Sequence, residues 1–260
     1  SFISLHLLDN NQQELINWKS SLVNQNSYNS HLEQEFKNEK LAVKQQLVFS
    51  SGHSAIQKTS ITNRTSKTIT INPAFDSKIY LDNIQLSNEG QILKLVSSKS
   101  NAVGYIQFLS ENIEFEITKE IVVSQTYIFP QYDWKKEKEN LAKIKFNTIL
   151  QNTKKEKENQ ITRLIARKKS IYKGSEYSVF LAKLILTLQN NTRIAAEGLK
   201  HEGVFPSYHY EWFHGFWAWD SWKHAAAVAN FNPELKIKCV LCLIIKSQMV
   251  LFRIVFIETP

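Results

Sequence analysis

The sequence predicts a mixed α+β chain of more than one domain: an antiparallel β-sandwich over 1–130, a helical linker over 131–170, and the opening of an α-helical domain over 171–260. Three observations lead there. Short apolar and β-branched runs recur at about ten-residue spacing up to Pro130. Gly and Pro then vanish from Asp133 to Ser170 while apolar residues recur at helical separations, and a further helical pattern begins at Ser175. A length of 260 residues admits one large domain or two unequal ones. An apolar fraction of 43% with fifteen Phe, nine Tyr and six Trp supplies the material for a substantial core.

The strand candidates come first. Leu47-Val48-Phe49, Ile69-Thr70-Ile71, Ile79-Tyr80-Leu81 and Tyr105-Ile106-Gln107-Phe108 are short runs of the kind that an antiparallel sandwich uses. The run Ile113-Glu114-Phe115-Glu116-Ile117 alternates strictly, which sets one face on a core and the other in water. Turns are expected at Ser51-Gly52, Asn72-Pro73 and Ser87-Asn88-Glu89-Gly90.

Helices follow. Leu141, Ile144, Ile149, Ile161, Leu164 and Ile165 carry the linker pattern. Asp133 suits its N-cap, and Lys136 at the third helical position rules out a capping box. From Ser175 to Leu188 the residues Val179, Leu181, Leu184, Ile185 and Leu188 form an apolar set, with Glu176 near the positive end of the helix dipole. Residues 200–217 read as an aromatic loop, and Asp220–Asn230 as a helix built on Ala225-Ala226-Ala227.

Charge and cysteine usage narrow the function classes. The net charge is +8, but the excess cations at Lys135, Lys136, Lys138, Lys154 and Lys155 alternate with Glu137, Glu139, Glu156 and Glu158. That pattern describes a solvated helix face rather than a track for phosphates, so no nucleic-acid partner is expected. Cys239 and Cys242 form one C-x-x-C without a second pair or a histidine at ligand spacing, so neither a metal site nor a cofactor is expected. The apolar tail from Cys239 to Ile257 is interrupted by Lys246, Ser247, Gln248 and Arg253, so it reads as a buried helix and no membrane span is expected. No charged segment with a cleavable apolar run opens the chain, so a signal peptide is expected to be absent or removed. The sequons at Asn63 and Asn190 would matter only in a secretory compartment.

The segment 204–224 holds four of the six Trp. Sugars present flat C–H faces that stack on aromatic rings, and hydroxyl rims that need carboxylate, amide or ammonium partners. Asp220, beside Trp219 and near Lys223, has the chemistry to grip adjacent hydroxyls. The same residues also suit core packing at a helix start with Asp220 as the N-cap. His201, His209, His214 and His224 are irregularly spaced and lack a carboxylate cluster, so they read as hydrogen-bonded loop residues.

The run Gly215-Phe216-Trp217-Ala218-Trp219-Asp220-Ser221-Trp222-Lys223-His224-Ala225, followed by Phe231-Asn232-Pro233-Glu234, resembles the first substrate-binding motif of the family 63 glycoside hydrolases, the processing α-glucosidases. It is also similar to the trehalase signature at Trp219-Asp220-Ser221, without the Arg that trehalases carry just upstream. The segment Lys173 to Lys183 resembles the first helix of the family's catalytic domain, and the region around Ser60-Ile61-Thr62-Asn63 its N-terminal sandwich.

The resemblance implies a β-sandwich followed by the first helices of an (α/α)6 barrel, a periplasmic or secretory location, and an oligosaccharide substrate. It implies that Trp217, Trp219, Asp220 and Lys223 touch the sugar while Phe216 and Trp222 give structural support. Family members invert the anomeric centre with two carboxyl groups on opposite sides of the sugar, both well downstream of this motif. Glu211 and Asp220 flank one loop and are poorly placed for that pair. Twelve helices of ~11 residues with ~4–6-residue connections need on the order of 200 residues, and 90 follow Ser170. The barrel is therefore expected not to close here, its apolar inner helices to lack partners, and the isolated chain to be inactive. No catalytic residue is assigned. The alternative is a non-catalytic carbohydrate-binding protein or an inactive fragment.

Overall fold

The computed structural model describes residues 3–77, 84–109, 114–115, 118–167, 169–172, 174–196, 199–207, 213 and 215–249. The described residues are mixed α+β, with a large antiparallel sheet and five α-helices, and the chain divides into two compact units, Ser1–Asn152 and Thr153–Pro260.

The first unit contains strands β1 (Ile3–Leu8), β2 (Leu22–Ser27), β3 (Leu32–Lys37), β4 (Leu41–Phe49), β5 (Ser54–Asn63), β6 (Ile69–Thr70), β7 (Asn72–Ser77), β8 (Ile84–Glu89), β9 (Ile92–Ser97), β10 (Val103–Phe108), β11 (Glu114–Phe115) and β12 (Thr118–Ile128). Eight of them form one sheet in the order β2-β3-β4-β5-β12-β10-β9-β8; β1 pairs with β7, and β6 with β11. Strand alternation gives the large sheet two different faces. Phe36, Leu41, Val43, Ile61, Leu95, Ile106, Ile121 and Val123 lie on one face and bury against Leu5 and Leu7 of β1 and against Ile16 and Ile71. Val48 and Ile56, of opposite parity, bury with Leu141, Phe146 and Leu150 from α1 (Trp134–Ala142) and the first turns of α2 (Phe146–Ala166).

Polar contacts fix the helices on that second face. Asp133 caps α1 by accepting from the Lys135 amide, as the sequence predicts. Glu137 accepts from the hydroxyls of Ser51 (2.6 Å) and Ser54 (2.5 Å), which ties α1 to the β4–β5 turn. Trp134 stacks on Tyr105 at 3.9 Å between ring centroids. Lys58, buried, donates to Glu120 at 3.0 Å and to Asn147 of α2 at 2.9 Å. A buried ammonium needs such partners.

Two expectations change here. Asn72-Pro73 is not a turn but the start of β7, with Pro73 opposite Leu7. A two-stranded ladder uses only one side of each strand, so a residue without an N–H is tolerated there. The turn expected over 87–90 is tighter, because β8 runs to Glu89 and the hairpin reverses at Gly90, whose φ of +67° suits a residue without a Cβ. The Ile79–Leu81 run and all of Ile113–Ile117 except Glu114 and Phe115 lie outside the described residues. Glu114 and Phe115 form β11.

The second unit contains the rest of α2, then α3 (Ser175–Asn190), the short pair β13 (Thr192–Arg193) and β14 (Gly203–Val204), α4 (Ala218–Val228) and α5 (Pro233–Met249). The division between units falls inside α2, so the expected linker 131–170 contributes to both. Ile185, Val204, Ala225, Val228, Phe231, Leu235 and Cys239 form the core of this unit. Asn232 caps α5 by accepting from the Leu235 amide at 3.1 Å, and Pro233 occupies the first helical position. Cys239 and Cys242 are buried thiols, neither of them in a disulfide. The expected tail helix is α5; residues beyond Met249 lie outside the described set. Among the described residues, no helix is long and apolar enough to cross a membrane.

Candidate sugar-binding site on the fourth helix

Helix α4 and its N-cap Trp217 carry the four residues singled out by the sequence, and the position of the helix follows from the strand before it. Gly203 packs on Phe216 so closely that a Cβ there would lie 2.7 Å from the ring carbons, which leaves no room for a larger residue. Val204 then accepts a hydrogen bond from His224 Nδ1 at 3.1 Å, which fixes the middle of α4 against β14. At the start of the helix, Ser221 Oγ donates to the Trp217 carbonyl at 2.5 Å.

Trp217, not Asp220, is the N-cap, and it makes no side-chain cap bond. The helix begins at Ala218, two residues earlier than expected, and the amides of Asp220 and Ser221 donate to the Trp217 carbonyl at 3.2 and 2.9 Å. Asp220 thus takes the third helical position, where its negative charge meets the positive end of the dipole. Phe216 is buried, as expected of a supporting residue.

The face of α4 opposite its buried residues Ser221, Ala225 and Val228 is aromatic. Trp219 is 71% exposed and Trp222 is 53% exposed. Lys223 places its ammonium 4.6 Å from the Trp219 ring centroid and 5.6 Å from that of Trp222. The quadrupole of each ring attracts that cation. Trp222, expected as a supporting residue, has its indole on the exposed face beside Trp219, since i and i+3 on a helix share a face.

Trp217 and Asp220 lie elsewhere. Successive helical residues turn by ~100°, so Asp220 is rotated away from Trp219 toward the buried flank. Trp217 lies 6.4 Å from Phe213, ring to ring, and its buried Nε1 has no hydrogen-bond partner among the described residues. His224, between the core and Asp220, has its pKa lowered: burial outweighs the hydrogen bond to Val204 and the Asp220 charge, both of which favour protonation. Glu211, His209 and His214 lie outside the described residues. The His201 carbonyl lies 3.5 Å from Cys242 Sγ. Among the described residues, no group of three His, Cys, Asp or Glu side chains is arranged to hold a metal ion.

Compared with models of known protein families, the chain matches none.

What α4 and its N-cap offer chemically is two exposed rings, an ammonium near both, and, on the adjoining flank, a carboxylate and an indole N–H without a partner among the described residues. Ring faces take C–H surfaces, while the other three groups take hydroxyls. Sequence reading found all of these residues but missed a second polar feature. It is a cavity of about 430 Å³ on the first unit's sheet, with Gln34 and Gln45 in its lining. Scattered glutamines on separate strands carry no local signal until strand pairing aligns them.

Proposed function

We propose that this chain belongs to a sugar-cleaving enzyme that hydrolyses α-glucosidic bonds of oligosaccharides with inversion, and that it supplies part of the sugar-holding subsite rather than the acid and base. The observation that carries this reading is the exposed Trp219–Lys223–Trp222 group on α4. Indoles of that size are costly to leave in water unless a ligand or partner covers them. The ammonium beside them suits a hydroxyl-rich ligand better than a purely apolar one. The finer fold of this proposal is a sandwich followed by the first helices of an (α/α)6 barrel. It is supported by the apolar side chains that α3 leaves exposed, Val179, Phe180 and Leu184, which neighbouring barrel helices would cover.

The test is a fluorescence titration of the chain with maltose, nigerose and their longer homologues, alongside a hydrolysis assay. Binding is expected, weakened about three- to tenfold in Trp219→Ala and in Asp220→Ala by loss of a stacking face or a charge-assisted hydrogen bond. No turnover is expected from either form. Turnover that disappears in Asp220→Ala would place the catalytic machinery within these residues and overturn the division of labour. An indole signal that no sugar perturbs would overturn the sugar-binding reading.

A further inference from the structure

The first unit holds a polar groove on the same sheet face as its apolar core. Strand pairing aligns Gln25 of β2, Gln34 of β3 and Gln45 of β4 in one cross-strand row. The next row on that face is Ser27, Leu32, Leu47 and Gln57, across β2, β3, β4 and β5. Both rows line the cavity of about 430 Å³, a size that takes a small ligand. Beyond Gln34 and Gln45 the same face turns apolar at Phe36 and Val43 and becomes core.

The composition of this groove is selective. Most of the lining is amide, which both donates and accepts without carrying charge and matches the hydroxyls of a neutral ligand; the charged member, Glu33, accepts from Lys44 and Gln46. Leu32, 50% exposed, and the half-buried Leu47 put an aliphatic strip between the amides, suited to the C–H face of a ring. The nearby cations are committed elsewhere: Lys44 donates to Glu33 at 2.9 Å and to Glu35 at 3.1 Å, and Lys58 to Glu120 and Asn147. An anionic ligand would find no free ammonium in the lining. Hydrogen bonds also hold the lining in place. Gln45 donates to the buried Thr59 hydroxyl at 3.5 Å, and Gln46 to Glu33 at 2.8 Å.

We propose that this face of the β2-β3-β4-β5 sheet is a second carbohydrate-binding site, which takes a neutral oligosaccharide at a place separate from α4. The choice of α-linked glucans as probe rests on the function proposed above; the amide and leucine chemistry does not.

The experiment titrates the full chain with maltotetraose, following the side-chain amide NMR signals of glutamine. It is repeated on Gln34→Leu/Gln45→Leu, on Gln25→Ala and on Trp219→Ala, with far-UV circular dichroism and thermal unfolding to verify the fold of each variant. Gln25 is exposed on the edge strand, so its replacement leaves the core intact even if the double variant does not fold. The expected result is perturbation of the groove amides in the wild type and in Trp219→Ala alike, with affinity about tenfold weaker in the double variant and about threefold weaker in Gln25→Ala. Groove signals that stay still while Trp219 responds would overturn the sheet site and leave the α4 reading standing. A response of the groove without one at Trp219 would do the reverse. Silence at both, or a groove that responds to a sulfated glucan and not to maltotetraose, would overturn this inference.

Discussion

His224 shows how one residue's environment sets a pH dependence. Burial lowers its pKa below the ordinary histidine value of about 6.5. The unfolded chain therefore binds the proton more readily than the folded one, and folding is favoured most above the unfolded pKa. Stability should fall as pH drops below about 6.5 and go on falling until the folded pKa is passed. His224→Gln keeps a donor for the Val204 carbonyl but does not titrate. Thermal unfolding between pH 7.5 and 5 should show the variant losing less stability than the wild type on acidification. A parallel loss in both would mean that His224 is not the group responsible. At the N-cap of the same helix, the buried N–H of Trp217 is a donor with no acceptor among the described residues. Trp217→Phe removes that donor without opening a large cavity. It should cost less than about 1 kcal/mol of stability, since an unsatisfied polar group contributes little to the fold, yet weaken maltose binding in the same titration.

At the scale of elements, β5 separates packing from surface along one strand. Ile61 is fully buried in the first core, and Gln57, on the same face two rows away, is half-buried over the groove. Ile61→Ala should lower the unfolding free energy by about 2–5 kcal/mol and Gln57→Ala by about 0.5 kcal/mol, read from urea midpoints at constant slope. Equal shifts would contradict the assignment of core and groove. The same strand shows what was legible in the sequence. Apolar runs at Leu47–Phe49 and Tyr105–Phe108 announced β4 and β10, and Asp133 announced α1, because those signals are local. β2 and β3, with the sequences LVNQNS and LEQEFK, were not announced: they are mostly polar, and the pairing that makes them strands comes from β4 for β3 and from β3 for β2. On α4 the residue types were legible, but their division was not. Trp222 shares the exposed face with Trp219 while Asp220 turns away from it, because residues three apart on a helix align and adjacent ones do not, a division that shows only once the helix is seen to begin at Ala218.

For the whole molecule, the net charge of +8 is large enough to invite polyanions, yet acids interleave with much of the excess along α1 and α2. Duplex DNA is expected to bind no more tightly than about 10⁻⁴ M at physiological salt, the weak end of non-specific attraction. Fluorescence anisotropy that gives micromolar, steeply salt-dependent affinity would contradict this. Each unit also has its own core, which gives a different meaning to the two cysteines of α5. Both thiols are buried, and burial raises the pKa of Cys239, so little of it is in the nucleophilic thiolate form while the helix is seated. A thiol-reactive dye in solvent meets Cys239 only during the moments when α5 lifts. The rate at which the chain is labelled therefore counts those excursions, and it gives the second unit an internal clock for local opening that needs no engineered probe.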